Sequence, residues 1–562
     1  MNQPAGRPNL RRVVSFLASM TIAAGALLFA PAAVSDDAAV VEGATVTADP
    51  TSPTGYTVTF VYRNANATQV RLAGDLTLLD VTTGTTRYQP EAWQPGRYHS
   101  GGTEFLRDMT KDADGYWSVS VPLHAGALSY WYRVWDPTKG WENKRIWDPA
   151  STNPRPPGEN SFRVRNNDVL DAVYVPYSEK QNDPVLKARA AYELPRTDPT
   201  QRGTVRYVPY TTILGDSGHY LGVYLPPHYD PNRAKPYKVA YLAHGIFGDE
   251  TDFMVPANVP NILDNMIAKG EIEPTVVVTM GNHFTGTGLG FSSYNQTNAA
   301  NNLVQTILPF IERLYNVSTE QEGRAYGGFS YGGMTGGIVI KNFPTVFGYY
   351  GHFSGNPTLT AADYDNIAAS NGKDDLFVFL GNGVFEGSLA VQNGIADNFR
   401  ARGIQAATAQ VPGAHDGMTA GQLFTIFARD YLWNEPAPVA PGAGSDGITS
   451  AHQLRQLVKG QVVPAKAKLV GNKLRVSLTC PAAAAPKPCK MTLQGLSSGR
   501  FSKPATARKV VSIEAGKTKQ VLIRVKPQFL SLYESADKVF VKTIVRVGQV
   551  RVTVRERVDL VS

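Results

Sequence analysis

Residues Gly323–Ile340 read GRAYGGFSYGGMTGGIVI, and the centre of this stretch, Gly328-Phe329-Ser330-Tyr331-Gly332, has the spacing Gly-x-Ser-x-Gly. That spacing suits a strand that turns sharply into a helix with the serine at the apex, its Oγ exposed and the helix N-terminus facing developing negative charge. Glycine on either side tolerates the strained backbone and the close packing such a turn needs. The bare pattern is weak evidence, because 52 of the 562 residues are glycine. Arg324-Ala325-Tyr326 is a short lead-in, and Gly332 to Ile340 is glycine-heavy for a helix, a cost that implies tight packing. Two readings of Ser330 therefore stand, a nucleophile and a serine in a structural turn, and the surrounding chain has to decide.

A chain of this length exceeds what one core supports, so about two to four domains are expected. From 203 to 434 short apolar runs (Val239–Ala243, Thr275–Thr279, Leu376–Leu380) alternate with helical segments such as Asn302–Tyr315. Buried parallel strands with covering helices produce this pattern. From 50 to 166 the residues alternate apolar and polar, as in Tyr56–Tyr62, Tyr116–Val121 and Ser129–Trp135, which reads as an N-terminal β-sandwich. Six of the seven tryptophans lie there, and they suit either an aromatic platform for sugar rings or a small core filled with large side chains. Residues 167–202 read as a linker, 435–464 as a second linker rich in proline, alanine and glycine, and 465–562 as a second β-sandwich. The expected fold class is thus multidomain, a central, mostly parallel α/β sheet with helices on both faces, flanked by two β-sandwiches.

The N-terminus carries Arg11-Arg12, the apolar run Val13–Ala30 and then small residues, the parts of a secretory signal over 1–35. The adjacent arginines leave the general and the twin-arginine export routes open. A secreted protein is expected, free or associated with the cell wall, with no transmembrane segment after signal removal. Only two cysteines occur, Cys480 and Cys489, and outside the cell a disulfide is favoured over two free thiols. No histidine cluster accompanies them, so neither a metal nor any other cofactor is expected. Residues 465–562 hold 20 basic against 5 acidic residues, although the whole chain is only +8. Such a basic end either attracts anionic cell-envelope polymers or merely solubilises a sandwich. Nucleic acid is a poor fit, since no recognition motif is present.

A serine hydrolase built on a parallel sheet presents its parts in the order oxyanion loop, Ser, acid, His, each at the C-terminal end of a strand. His244-Gly245-Ile246-Phe247-Gly248 follows the run Val239–Ala243, and the Ile246 N–H is the candidate oxyanion donor together with that of Tyr331. Between Ser330 and the second linker only His352 and His415 occur. His352 comes too soon for an acid loop to precede it, which leaves His415 as base or as a structural histidine. The loop after Leu376–Leu380 offers Glu386 as acid. Asp374 and Asp375 precede that strand, Asp397 falls in a segment that reads as helix, and Asp416 adjoins His415 too closely to reach back to its Nδ1.

Leu225-Pro-Pro-His-Tyr-Asp230, Tyr241-Leu-Ala-His-Gly245 with Asp249-Glu-Thr-Asp-Phe253, Tyr315-Asn-Val-Ser-Thr319, Arg324–Gly333 and Gly413-Ala-His-Asp416 together resemble the successive motifs of the esterase D and feruloyl esterase family of α/β-hydrolases, which is related to mycolyltransferases. The resemblance covers roughly 203–433. It implies Ser330 as nucleophile, His415 as base, and Glu386 where most relatives have aspartate. It implies a secreted serine carboxylic-ester hydrolase that takes a small or polysaccharide-linked ester and forms an acyl-enzyme. Acyl transfer to a sugar hydroxyl, and a catalytically silent cell-wall-binding protein, are the competing functions. Phe253 and the residues after His415 depart from the family pattern, which has tryptophan at both places, so a different substrate pocket is expected. The Trp-rich unit is similar to the early-set sandwich modules that precede some of these esterases.

Overall fold

In the run Lys238–Ala243 successive side chains enter two different cores. Val239, Tyr241 and Ala243 pack in one buried cluster, and Ala240 and Leu242 in another. A strand whose two faces are both dry must lie inside a sheet covered on both sides. The computed structural model describes residues 40–561 apart from 142–144, 157–169, 283–294, 371–375, 434–465, 482–483, 485–487, 498–502 and 548–549. The expected signal segment, the second linker, Asp374 and Asp375 lie outside the described residues.

The central sheet has eight strands: β1 (Thr204–Tyr210), β2 (His219–Leu225), β3 (Lys238–Ala243), β4 (Thr275–Met280), β5 (Arg324–Phe329), β6 (Tyr349–Phe353), β7 (Phe377–Gly383) and β8 (Gln405–Val411). Their spatial order is β1-β2-β4-β3-β5-β6-β7-β8. β1 and β2 are antiparallel to their neighbours and the other six run parallel. Helices α1 (Val259–Ala268), α2 (Tyr331–Asn342), α3 (Ala361–Ala369), α4 (Leu389–Ala401) and α5 (Gly417–Asp430) cover it. Ile262 and Met266 of α1 and Leu423 and Phe427 of α5 pack on one face, and Val339 of α2, Ile367 of α3 and Phe399 of α4 on the other. This is the α/β-hydrolase arrangement, and it brings the C-terminal ends of β3, β5, β7 and β8 to one edge.

On the N-terminal side, strands Gly43–Ala48, Tyr56–Arg63, Thr110–Lys111 and Tyr116–Pro122 form one antiparallel sheet, and strands within 70–175 form another. Val58, Phe60, Leu72, Tyr130 and Tyr132 fill the core between them. Trp93, Trp117 and Trp131 are buried. Trp141 and Trp147 are half-buried beneath the guanidinium groups of Arg71 and Arg155, 4.2 and 4.8 Å from their ring centres. The tryptophans are thus divided between core filling and arginine-capped surface.

Residues 167–202, expected as a linker, are in large part folded. Asp171–Val175 pairs antiparallel with Gly126–Tyr130 and completes the second sheet. Asp183 caps the helix Pro184–Glu193, accepting from the Val185 and Leu186 amides. Within that helix the Arg189 and Glu193 side chains form a buried ion pair at 2.8 Å, and Glu193 also accepts from the Ala127 amide at 2.9 Å. Polar composition suggested a solvated segment. Pairing each charge with an internal partner is what lets it be buried instead.

The seven C-terminal strands, Lys466–Val470 through Val550–Val561, form one continuous path of hydrogen-bonded neighbours around a core of Leu474, Val476, Met491, Val521 and Val541. Lys466–Val470 lies inside that path, antiparallel to Lys473–Thr479 and parallel to Val550–Val561. Cys480 and Cys489 are disulfide-bonded.

Candidate active site

Ser330 follows β5 directly and caps α2 with φ 52° and ψ −115°, a conformation disfavoured for any residue with a Cβ. Two glycines make this turn possible. A Cβ at Gly328 would collide with the Gly332 backbone, and one at Gly332 with the Ala243 carbonyl at the end of β3. The Ser330 amide donates to the Phe353 carbonyl at 2.8 Å, and the Tyr326 hydroxyl donates to the Gly332 carbonyl at 2.7 Å, so β5 itself and the neighbouring β6 hold the turn.

The structure brings Ser330, His415 and Glu386 together. His415 Nε2 lies 2.7 Å from Ser330 Oγ, and His415 Nδ1 lies 2.8 Å from Glu386 Oε2. The Glu386 carboxylate is largely sequestered, at 11% side-chain exposure, while the imidazole is about half exposed at 49%. Phe329 packs its ring against the imidazole, with centroids 4.8 Å apart. With Nδ1–H donating to the carboxylate, Nε2 carries the lone pair that faces the serine hydroxyl. Such an arrangement can take a proton from Oγ and later return it to a leaving group.

The loop after β3, which carries the candidate donor Ile246, is braced from beneath. Buried His244 donates from Nδ1 to the Gly245 carbonyl at 2.5 Å and accepts at Nε2 from the Asn282 amide at 3.0 Å. The Asn282 side chain donates to the His244 carbonyl at 2.7 Å. A Cβ on Gly245 would meet the Ser330 Cβ at 3.1 Å, so the loop carrying Ile246 lies against the serine turn. Tyr331 is the first residue of α2, where amide groups point out along the helix axis.

His352 is fully buried and contacts the Gly333 carbonyl through Nδ1 at 2.7 Å, and burial pushes its pKa down to about 4. It supports the turn from behind and does not reach the Ser330 hydroxyl's side. Asp397 lies in α4 and pairs with Arg400 at the surface.

Sequence reasoning missed two supports. Ser354, at φ 50° just beyond β6, donates to Glu386 Oε1 at 2.6 Å, and the Gly383 amide donates to the same oxygen at 2.7 Å. The carboxylate is therefore held at both oxygens. The end of β6 thus touches both the serine turn, through Phe353, and the acid, through Ser354. Its position one strand beyond the serine was the available signal. The second support is Asp416. It caps α5 by accepting from the Thr419 amide at 2.7 Å, and it also accepts from the Gly101 amide at 2.8 Å and the Ser100 hydroxyl at 3.3 Å. Burial raises its pKa. Met418, three residues beyond His415, is buried in the N-terminal core. The loop bearing His415 is thus wedged between the two modules. A cleft of about 200 Å³ opens here, with Ile246, Phe329 and His415 on one side and Asp75, Gly101 and Arg145 of the N-terminal module on the other.

Comparison with known proteins places relatives at this site. The sequence model of a family described as putative esterase matches residues 219–419. Endo-1,4-beta-xylanase Y of Acetivibrio thermocellus is 36% identical over 167 residues, which are 28% of this chain and 14% of that protein. An endo-1,4-beta-xylanase/feruloyl esterase of Xylanibacter ruminicola is 28% identical over 212 residues, 36% of this chain and 28% of that protein. The chain thus spans well under half the length of either relative. Among solved structures, a feruloyl esterase module from Clostridium thermocellum complexed with sinapinate is similar with a TM-score of 0.37 and 24% identity, over 44% of this chain and 96% of that one. The enterobactin esterase of Shigella flexneri is similar with a TM-score of 0.39 and 14% identity, over 66% of this chain and 93% of that one. The match to the putative esterase family is thus confined to residues 219–419, the segment that carries Ser330, Glu386 and His415.

Proposed function

We propose that the protein is a secreted carboxylic-ester hydrolase that works through a Ser330-His415-Glu386 triad and an acyl-enzyme. The observation that carries this reading is the pair of contacts at His415, 2.7 Å to Ser330 Oγ and 2.8 Å to Glu386 Oε2. Ser330 Oγ attacks the ester carbonyl carbon as its proton passes to His415 Nε2. Glu386 stabilises the resulting imidazolium and fixes its orientation. The amides of Ile246 and Tyr331 receive the negative oxygen, an interaction worth roughly 3–4 kcal/mol for each donor. The tetrahedral adduct collapses, the alcohol leaves with the proton from Nε2, and water repeats the sequence to release the acid.

The name of the Xylanibacter ruminicola relative suggests an aromatic acyl group on a polysaccharide as the substrate. Acyl transfer remains the competing chemistry, because the half-exposed imidazole gives an alcohol the same access as water. Purified protein tested on short-chain, hydroxycinnamoyl and long-chain esters, with and without trehalose, separates the two. Free acid as the sole acyl product supports hydrolysis, acylated sugar supports transfer, and no turnover of any ester refutes both.

In this reading the catalytic module is flanked by two β-sandwich modules, and the basic C-terminal one binds anionic envelope polymers. In support, Lys490 and Arg546 stand directly opposite each other in the sheet, and with Arg508 they line a shallow cleft of about 250 Å³. Like charges directly opposite destabilise a sheet unless an anion compensates them. Loss of salt-sensitive retention on cell walls after removal of 465–562 tests this part.

A further inference from the structure

The loop that carries the candidate donor Ile246 holds one side chain the mechanism does not use. The Gly248 amide donates to the Gly245 carbonyl at 3.2 Å and closes a turn with Ile246 and Phe247 at its apex. Phe247 has φ 64°, the left-handed conformation of the third residue of a type II turn, which glycine fills without strain. Other residues with a side chain share a positive φ among those described. Asn182, His228 and Asn258 are of types that tolerate it, Ser330 and Ser354 serve the triad, and Trp433 is buried with its Nε1 donating to the Thr275 hydroxyl. Phe247 is bulky and apolar, so the conformation is costly, and at 45% exposure no core burial offsets it. Strain kept beside a reactive serine without burial in return points to a function.

Resting on the esterase reading, we propose that Phe247 determines specificity for the acyl half of the ester, its ring forming an apolar wall that favours acyl groups larger than acetyl. The carbonyl under attack has its oxygen between the amides of Ile246 and Tyr331, so the acyl substituent lies between this turn and the start of α2. Gly245, at the foot of the turn, packs against Ser330 and Phe329. The alcohol departs on the side of His415, whose Nε2 supplies its proton. Ile246, Phe329 and His415 line the cleft on that side, and Phe247 does not. Across Ser330, Met334 is 40% exposed in the first turn of α2, its amide donating to the Ser330 carbonyl at 3.0 Å. An acyl chain laid between Phe247 and Met334 removes apolar surface of all three from water.

The test holds the alcohol constant and varies the acyl group, reading the ratio of kcat/KM for para-nitrophenyl hexanoate to that for para-nitrophenyl acetate in the full-length protein. Phe247→Ala removes the ring and keeps the left-handed Cβ, whereas Phe247→Gly removes both and relieves the turn, so folding is not at risk. Both variants are expected to lower the ratio by about tenfold or more, the scale on which an apolar pocket discriminates between acyl groups. A ratio unchanged in both variants overturns the proposal, as does a fall in Phe247→Gly alone, which would come from the backbone rather than the ring. A ratio that rises also overturns it, because the ring would then obstruct the larger acyl group. Wild-type protein that cleaves neither ester removes the esterase reading and this role with it, a result distinct from an unchanged ratio.

Discussion

Replacement of Asp416 by alanine probes the contact between modules most sharply. The carboxylate accepts from the Thr419 and Gly101 amides at 2.7 and 2.8 Å and is buried, so water cannot replace it. Loss of the helix cap costs about 1 kcal/mol. The buried Gly101 amide left without its acceptor costs a further 1–3 kcal/mol or so. The total, about 2–4 kcal/mol, lowers the melting temperature of the transition that reports these modules by roughly 4–16 °C. Asparagine keeps one acceptor but turns an NH2 toward the other donor, so it recovers only part of the loss. Because His415 is the preceding residue, kcat for a simple ester falls as well, even at temperatures where the protein is folded. Differential scanning calorimetry and initial rates at 20 °C measure the two effects. A melting temperature within 1 °C of wild type together with an unchanged kcat would refute the reasoning.

Ser354→Ala removes one hydrogen bond to the Glu386 carboxylate and is expected to lower kcat about tenfold with little change in KM, because bonds to charged groups are worth about 1.5–3 kcal/mol. Glu386→Gln is expected to cost about a thousandfold or more, since it also misorients the imidazole; an effect no larger than that of Ser354→Ala would remove Glu386 from the triad. Stability is expected to fall as the pH drops below about 6.5, the unfolded value for histidine. Burial lowers the folded pKa of His99 to about 3, of His352 to about 4, and of His124 well below its usual value. The unfolded chain therefore takes up these protons first, which gives a slope of about 1.4 kcal/mol per pH unit for each histidine. Asp171, Asp264 and Asp416, raised by burial, have the opposite sign and return some stability as the pH falls through their raised values. Urea midpoints that are flat between pH 7 and 5 would contradict the buried neutral histidines.

Local pattern carried the central sheet. The apolar runs at 239–243, 275–279 and 377–380 lie in strands, because burial on both faces leaves almost no exposed position in them. The same logic placed Ser330, Glu386 and His415 after β5, β7 and β8, and the geometry brings them within hydrogen-bonding distance. What local pattern could not convey was contact across long separations. The Asp416–Gly101 bond spans 315 residues, and nothing near either residue announces the other. The folded part of 167–202 escaped for a related reason: Arg189 and Glu193 look solvated in sequence and are buried only because they pair with each other and with Ala127. Ser354 acts through its backbone turn and one hydroxyl, a signal no composition reveals.

The nucleophile itself is open to direct test. A fluorophosphonate reacts readily only with an activated serine hydroxyl, so labelling of the intact protein followed by peptide mass spectrometry locates it. A single adduct on Ser330 is expected, with labelling much slower in His415→Ala and none in Ser330→Ala, which also loses ester hydrolysis by several orders of magnitude. An adduct on another serine, with full esterase activity retained in Ser330→Ala, would contradict the assignment.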